Sequence, residues 1–199
     1  MHDALIRIPS TTGDLLMTTV LTLVGSLRNG STNRQLAEAT VLNAPDGVTV
    51  NVFSGLENIP FYNEDTDVEG QVPQAARELR AAAAESDALL LVSPEYNGTM
   101  PAVLKNAIDW LSRPFGNSVA KDMPAVVIGT AFGQFGGVWA QDEARKALSI
   151  AGANVLDDIK LSIPNSVVRF AELHPKDDAE VAGQVAAVLE GIRAVAAKN

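Results

Sequence analysis

The sequence predicts an α/β fold, a five-stranded parallel sheet with helices on both faces. Two observations carry this. Strand-like and helical runs alternate along the whole chain, the pattern of strands joined by right-handed helical crossovers. Ala88-Leu89-Leu90-Leu91-Val92 is apolar at every position, as a central strand covered on both faces requires.

Each element has its own signal. Thr18–Val24 is a β-type run and reads as the first strand, followed by a helix over Thr32–Leu42. Gly47 to Phe53 alternates in polarity and reads as the second strand. A polar, acid-rich loop from Ser54 to Gly70 leads to an Ala-, Arg- and Glu-rich helix from Val72 to Ala84. Pro101 to Leu111 is the clearest helix: Pro suits the first turn, and Val103, Leu104, Ala107, Ile108 and Leu111 form one stripe. Ala125–Ile128 is the fourth strand, Val138–Ala151 a helix closed by Gly152, and Asn154–Ile159 a candidate fifth strand. The last helix spans Asp177 to Ala197. Residues 18–199 read as one domain. Residues 1–17 read as a loose extension, with Met17 a candidate alternative start.

Composition narrows the function. At 199 residues the chain suits a single domain. It has no cysteine, which excludes disulfides, thiolate nucleophiles and cysteine-ligated metals and fits a reducing cytoplasm. A net charge of −9 argues against nucleic-acid binding. No apolar run approaches the roughly 20 residues a membrane span needs, and the first 16 residues lack a signal-peptide centre. His2 lies in the extension and His174 precedes Pro175 in a polar loop, so a histidine metal site or triad is not expected.

In a parallel sheet, ligands bind beyond the carboxyl ends of the strands. Three loops fall there: Gly25–Asn33, Ser93–Met100 and Gly129–Gly137. The first is a strand-to-helix turn with Ser26, Arg28, Ser31, Thr32 and Asn33, which reads as an anion cradle of amides, hydroxyls and one guanidinium. It resembles a Walker A loop in the separation of Gly25 and Gly30 and in Thr32, but Ser31 stands where that loop has Lys. A terminal monophosphate therefore suits it better than a triphosphate. Its plainer reading is a strand–helix turn capped by serine. In the second loop, Pro94 ends the strand and Asn97-Gly98 is a turn dipeptide. Such a loop offers amides to a flat heterocycle with Tyr96 beside it, or is simply a turn. The third holds Thr130, Phe132, Gly133, Phe135, Gly136 and Gly137. Its glycines permit close approach, and its two phenylalanines either wall an aromatic pocket or pack beneath the loop. Lys105 and Asp109 read as a solvated helix pair, Trp110 as core or interface, and the acids of Glu57–Glu69 as a solvated loop.

Gly25-Ser26-Leu27-Arg28 with Ser31-Thr32-Asn33, Pro94-Glu95-Tyr96-Asn97-Gly98, the run Leu104 to Arg113, and the Gly133…Gly136-Gly137 loop together resemble the NADPH-dependent FMN reductase family. The resemblance covers Thr18 to Ile163. It implies a flavodoxin-like three-layer α/β/α sandwich with a five-stranded parallel sheet. It also implies an oxidoreductase that passes hydride from NADPH, or NADH, to FMN and then to a quinone, flavin or similar small-molecule acceptor. Ser26, Arg28, Ser31, Thr32 and Asn33 are implied to hold the FMN phosphate. Pro94, Glu95, Tyr96, Asn97 and Gly98 are implied along the ring and ribityl chain, largely through backbone groups, and Thr130, Gly133 and Gly136 on the ring's other side. No side-chain catalyst is required, since the flavin does the chemistry. A homodimer or homotetramer is expected. Many relatives carry a basic or polar residue after the Gly-Gly pair, whereas this chain has Val138 and Trp139. Two other functions remain open on sequence: a non-enzymatic FMN electron carrier of the flavodoxin type, and a phosphate-ligand binding protein on the same fold.

Overall fold

A computed structural model describes residues 17–197. The expected N-terminal extension therefore falls outside the described residues for residues 1–16, as does His2. Six strands and six helices occur among the described residues: β1 (Thr18–Val24), α1 (Thr32–Leu42), β2 (Val48–Val52), α2 (Gln74–Ala84), β3 (Ala88–Val92), α3 (Ala102–Leu111), β4 (Pro124–Thr130), α4 (Val138–Ile150), β5 (Asn154–Val155), β6 (Leu161–Ile163), α5 (Ser166–Arg169) and α6 (Ala179–Ala196). All pairings are parallel, and the order is β2-β1-β3-β4-β5, with β6 also on β4. The registers place Thr18 beside Val48, Val20 beside Ala88, and Leu89 beside Ala125.

The alternation of side chains along the strands divides the core in two. Leu21, Leu23, Leu89, Leu91, Ala125 and Val127 face α2, α3 and α4. Val20, Val24, Leu90, Val92, Val126 and Ile128 face α1 and α6. The α6 stripe Val181, Val185, Val188, Leu189 and Ile192 recurs at helical spacing and is fully buried or nearly so.

The fifth sheet position is a broken strand. β5 pairs with the start of β4 and β6 with its end, so the one expected strand is two: β5 opens the expected Asn154–Ile159 stretch and β6 lies beyond it. The break faces the Val127 carbonyl, which instead accepts from Arg145 Nη2 at 2.8 Å. A buried carbonyl without a ladder partner must find another donor, and the buried Arg145 reaches it from α4.

The loop after β2 is not merely a solvated acid run. Leu56 and Ile59 enter the core. Asn106 accepts from Tyr62 N at 2.8 Å and donates to the Ile59 and Pro60 carbonyls. The Trp110 indole, fully buried, donates to Pro60 O at 2.8 Å. Asp67 makes a bidentate pair with Arg80 at 2.6 and 2.8 Å. Lys105 and Asp109 form the expected exposed pair.

Candidate active site

The strand order reverses between β1 and β3, whose neighbouring crossovers leave on opposite faces. Such a switch point opens a crevice at the carboxyl ends of the strands. The loops that follow β1, β3 and β4 all emerge at this end of the sheet.

Loop one is built to leave donors outward. Gly25 sits where α3 crosses the strand end: a Cβ there would lie 2.6 Å from Leu104 Cδ1. Gly30 takes a φ of +66°, which only glycine adopts without strain. Ser31 caps α1, its hydroxyl accepting from Arg34 N at 3.5 Å. The amides of Ser26 through Gly30, and of Thr32 and Asn33, have no acceptor among the described residues. Ser26 and Ser31 are buried at the base of the loop. Arg28 is exposed, and its one hydrogen bond among the described residues runs to Asn29 O at 3.3 Å. Free amides, hydroxyls, an uncommitted guanidinium and a helix N-terminus form a donor set that fits a phosphate.

Not every expected residue offers its side chain to this cradle. Asn33 is buried and turned into the fold: its Nδ2 donates to Thr130 O at 2.8 Å and its Oδ1 accepts from Thr130 N at 3.0 Å. The Thr130 hydroxyl donates to Ile163 O at 2.9 Å. Asn33 and Thr130 therefore clamp loop one to β4 and β6, which leaves the Asn33 amide as its outward donor.

Loop two is a tight hairpin. Asn97 and Gly98 have φ of 53° and 77°, the pair of positive values of a type I′ turn. Tyr96 and Thr99 exchange backbone hydrogen bonds at 3.0 and 3.1 Å. The Tyr96 amide is thus used within the turn, and its ring is half exposed. Pro94 is buried, and Ser93 Oγ donates to Pro94 O. The Glu95 carboxylate accepts from Trp139 N at 3.1 Å and Ala140 N at 3.3 Å. Its role in this structure is to cap α4, whose own N-cap, Gly137, has no side chain to do so.

Loop three is clamped from below. A Cβ on Gly136 would lie 2.7 Å from the Ser162 carbonyl carbon, so this glycine serves the approach to β6. Gly133 is exposed with open space around it. Ala131 O and Gly133 O accept from Ser166 N and Asn165 N. Phe132 and Phe135 are not packed under the loop but exposed.

Two positioning roles escaped the sequence reading. Gly129 lets β4 pass the end of β3: a Cβ there would meet Ser93 O at 2.2 Å. Gln141 donates to Gly136 O at 3.1 Å and accepts from Ser162 Oγ and Arg145. Gln141, Ala144, Arg145 and Leu148 share the buried face of α4, and that spacing was the available signal.

The residues fit a flavin nucleotide, and comparison with known proteins agrees. The family model of the NADPH-dependent FMN reductases matches residues 18–167. A 2-hydroxy-1,4-benzoquinone reductase from Burkholderia sp is 38% identical over 153 residues, 77% of this chain and 79% of that protein. An NAD(P)H-dependent FMN reductase from Pseudomonas aeruginosa is 36% identical over 151 residues, 76% of this chain and 80% of that protein. Among solved structures, the flavoenzyme NAD(P)H:(acceptor) oxidoreductase FerB from Paracoccus denitrificans superposes with a TM-score of 0.74 at 28% identity, covering 89% of this chain and 98% of that one. With a 2-1-3-4-5 sheet and a donor-lined turn at its switch point, this chain belongs to the NADPH-dependent FMN reductase family.

Proposed function

We propose that this protein is an FMN-dependent NAD(P)H reductase whose acceptor is a quinone or a similar small molecule. The observation that carries the reading is loop one: a row of unpartnered amides ending at the N-terminus of α1, with Arg28 beside it. Bound there, FMN supplies the redox chemistry, relaying two electrons from a nicotinamide to the acceptor. The chain's own residues bind and orient. Ser26, Ser31, Thr32 and Arg28 hold the phosphate, with the amides of Thr32 and Asn33. Pro94, Asn97 and Gly98 border the ring on one side and Gly133 on the other. The Glu95 and Thr130 side chains and the close approach at Gly136 fix the loops, which leaves these residues their backbone groups for the ligand. Such positioning sets how closely donor and acceptor approach.

We assign no proton-transfer role to the acids of loop two. Neither Glu95 nor Tyr96 is placed to shuttle a proton in a closed pocket, since Glu95 is committed to α4 and Tyr96 is open to solvent. The names of the relatives, reductases rather than carriers, favour an enzyme over an electron carrier.

We also infer a homodimer or homotetramer. A cavity of about 750 Å³ between α3 and α4 exposes Phe115 and Ile150 beside Lys105, Arg113, Glu143 and Lys146. Apolar groups with both charge signs on one face suit a self-complementary contact. The cysteine-free composition supports a cytoplasmic protein.

The test is direct. Purified protein supplemented with FMN should show a bound-flavin absorbance spectrum that bleaches on anaerobic addition of NADPH. Protein that leaves FMN free after gel filtration would sink the reading.

A further inference from the structure

Four of the chain's ten aromatic side chains stand exposed on loops two and three or at the start of α4: Tyr96, Phe132, Phe135 and Trp139, at 49, 73, 56 and 55%. Large apolar rings left in water at one end of a sheet mark a contact surface. Phe135 and Trp139 lie against each other, with ring centroids 5.6 Å apart at 45°. The backbone beneath them is fixed. Glu95 holds the Trp139 amide, Gln141 holds the Gly136 carbonyl, and Gly136 is pressed on β6. The rings are thus open while their support is rigid. Ala131 through Gln141 contains no charged residue. Glu95 spends its charge on the N-terminus of α4, and Asp142, the next residue along that helix, is acidic and exposed. The molecule as a whole carries −9. Nothing on this lip attracts an anion, and its chemistry suits an uncharged flat ring.

We propose that Trp139, with Phe135 packed against it, is a specificity-determining pair that stacks uncharged planar acceptors and disfavours anionic ones. The proposal rests on the reductase reading above and deepens it. The overall reaction balances: a quinone takes up two electrons and two protons, NAD(P)H supplies two electrons and one proton, and solvent supplies the second proton.

The experiment uses FMN-loaded protein and a matched pair of acceptors, 1,2-naphthoquinone and its 4-sulfonate. Stacking of this kind is worth up to about tenfold in affinity. Trp139→Ala should lower the ratio of kcat/KM for the neutral over the sulfonated quinone by about three- to tenfold, through KM, and Trp139→Phe should restore most of it. Trp139→Arg should move the ratio further towards the sulfonate. A second readout needs no turnover. Trp110 is fully buried, so 1,2-naphthoquinone should quench Trp139 fluorescence saturably, and Trp139→Phe should abolish that component.

Equal losses for both acceptors, or saturable quenching that survives Trp139→Phe, would overturn the proposal. So would a fall in assembly mass by light scattering in Trp139→Ala, which would make the lip a subunit contact. If the parent retains no FMN or oxidises no NAD(P)H with any acceptor, the reductase reading itself fails. The quenching titration still decides whether the lip takes a neutral ring.

Discussion

At the scale of single residues, the sharpest contrast is between Arg28 and Asn33. Both read from sequence as phosphate ligands. Arg28 is exposed, with no ion-pair partner among the described residues. Asn33 is spent on Thr130, 97 residues away. Substitution of Arg28 should therefore weaken the ligand and not the fold. Arg28→Ala removes one or two charged hydrogen bonds worth about 1.5–3 kcal/mol each, so FMN affinity should fall at least tenfold in a flavin-fluorescence titration while the unfolding midpoint holds. Unchanged affinity would remove Arg28 from the cradle. The serine at position 31 was legible as a cap because capping depends on residues three apart. The Asn33 clamp was not, because its partner is distant in sequence.

At the scale of elements, α4 shows how a helix borrows its cap. Its N-terminus follows two glycines with φ of 63° and 83°, which turn the chain but carry no side-chain acceptor. Glu95, from the loop after β3, supplies one. A carboxylate at a helix N-terminus also gains from the dipole. Glu95→Gln keeps the shape and removes the charge, and should cost about 0.5–2 kcal/mol in urea unfolding. Amides in the first turn of α4 should exchange faster with solvent. If they exchange as in the parent, Glu95 is not the cap. The broken edge strand follows the same logic. The apolar signal near Asn154–Ile159 announces a strand, but the second segment, β6, lies past it, and the ladder partners that recruit both segments belong to β4. The polar loop after β2 was legible only in part for a related reason: Glu57, Glu64, Asp65 and Glu69 are exposed as expected, but its apolar anchors were not foreseen. Its acids are conspicuous in sequence, whereas Leu56 and Ile59 reveal their burial only against α3.

At the scale of the whole molecule, two paired carboxylates, Asp67 with Arg80 and Asp178 with Arg169, contribute stability that acid removes. Arg80 beside Asp67 holds its carboxyl below the ordinary value of 3.8. Arg169 beside Asp178, helped by the Val181 and Glu180 amides, does the same there. A carboxyl with a lowered folded pKa stabilises above its unfolded value, and that contribution is lost as pH falls through the folded one. Thermal unfolding should therefore be flat at neutral pH and fall below about pH 4. Asp67→Asn should lower the neutral-pH midpoint and make the acid fall shallower. A parallel downward shift with the same acid slope would show that the pair does not titrate as described. The first four strands, the helices α1 to α4 and α6, the sheet's parallel sense and the three loops at the carboxyl end of the sheet were determined by sequence alone, since they depend on local periodicity and turn chemistry. Which donors in those loops face outward, and which are consumed by Thr130, Ile163 or α4, was decided only by tertiary structure. Each of those hydrogen bonds joins elements that are neighbours in space but not along the chain.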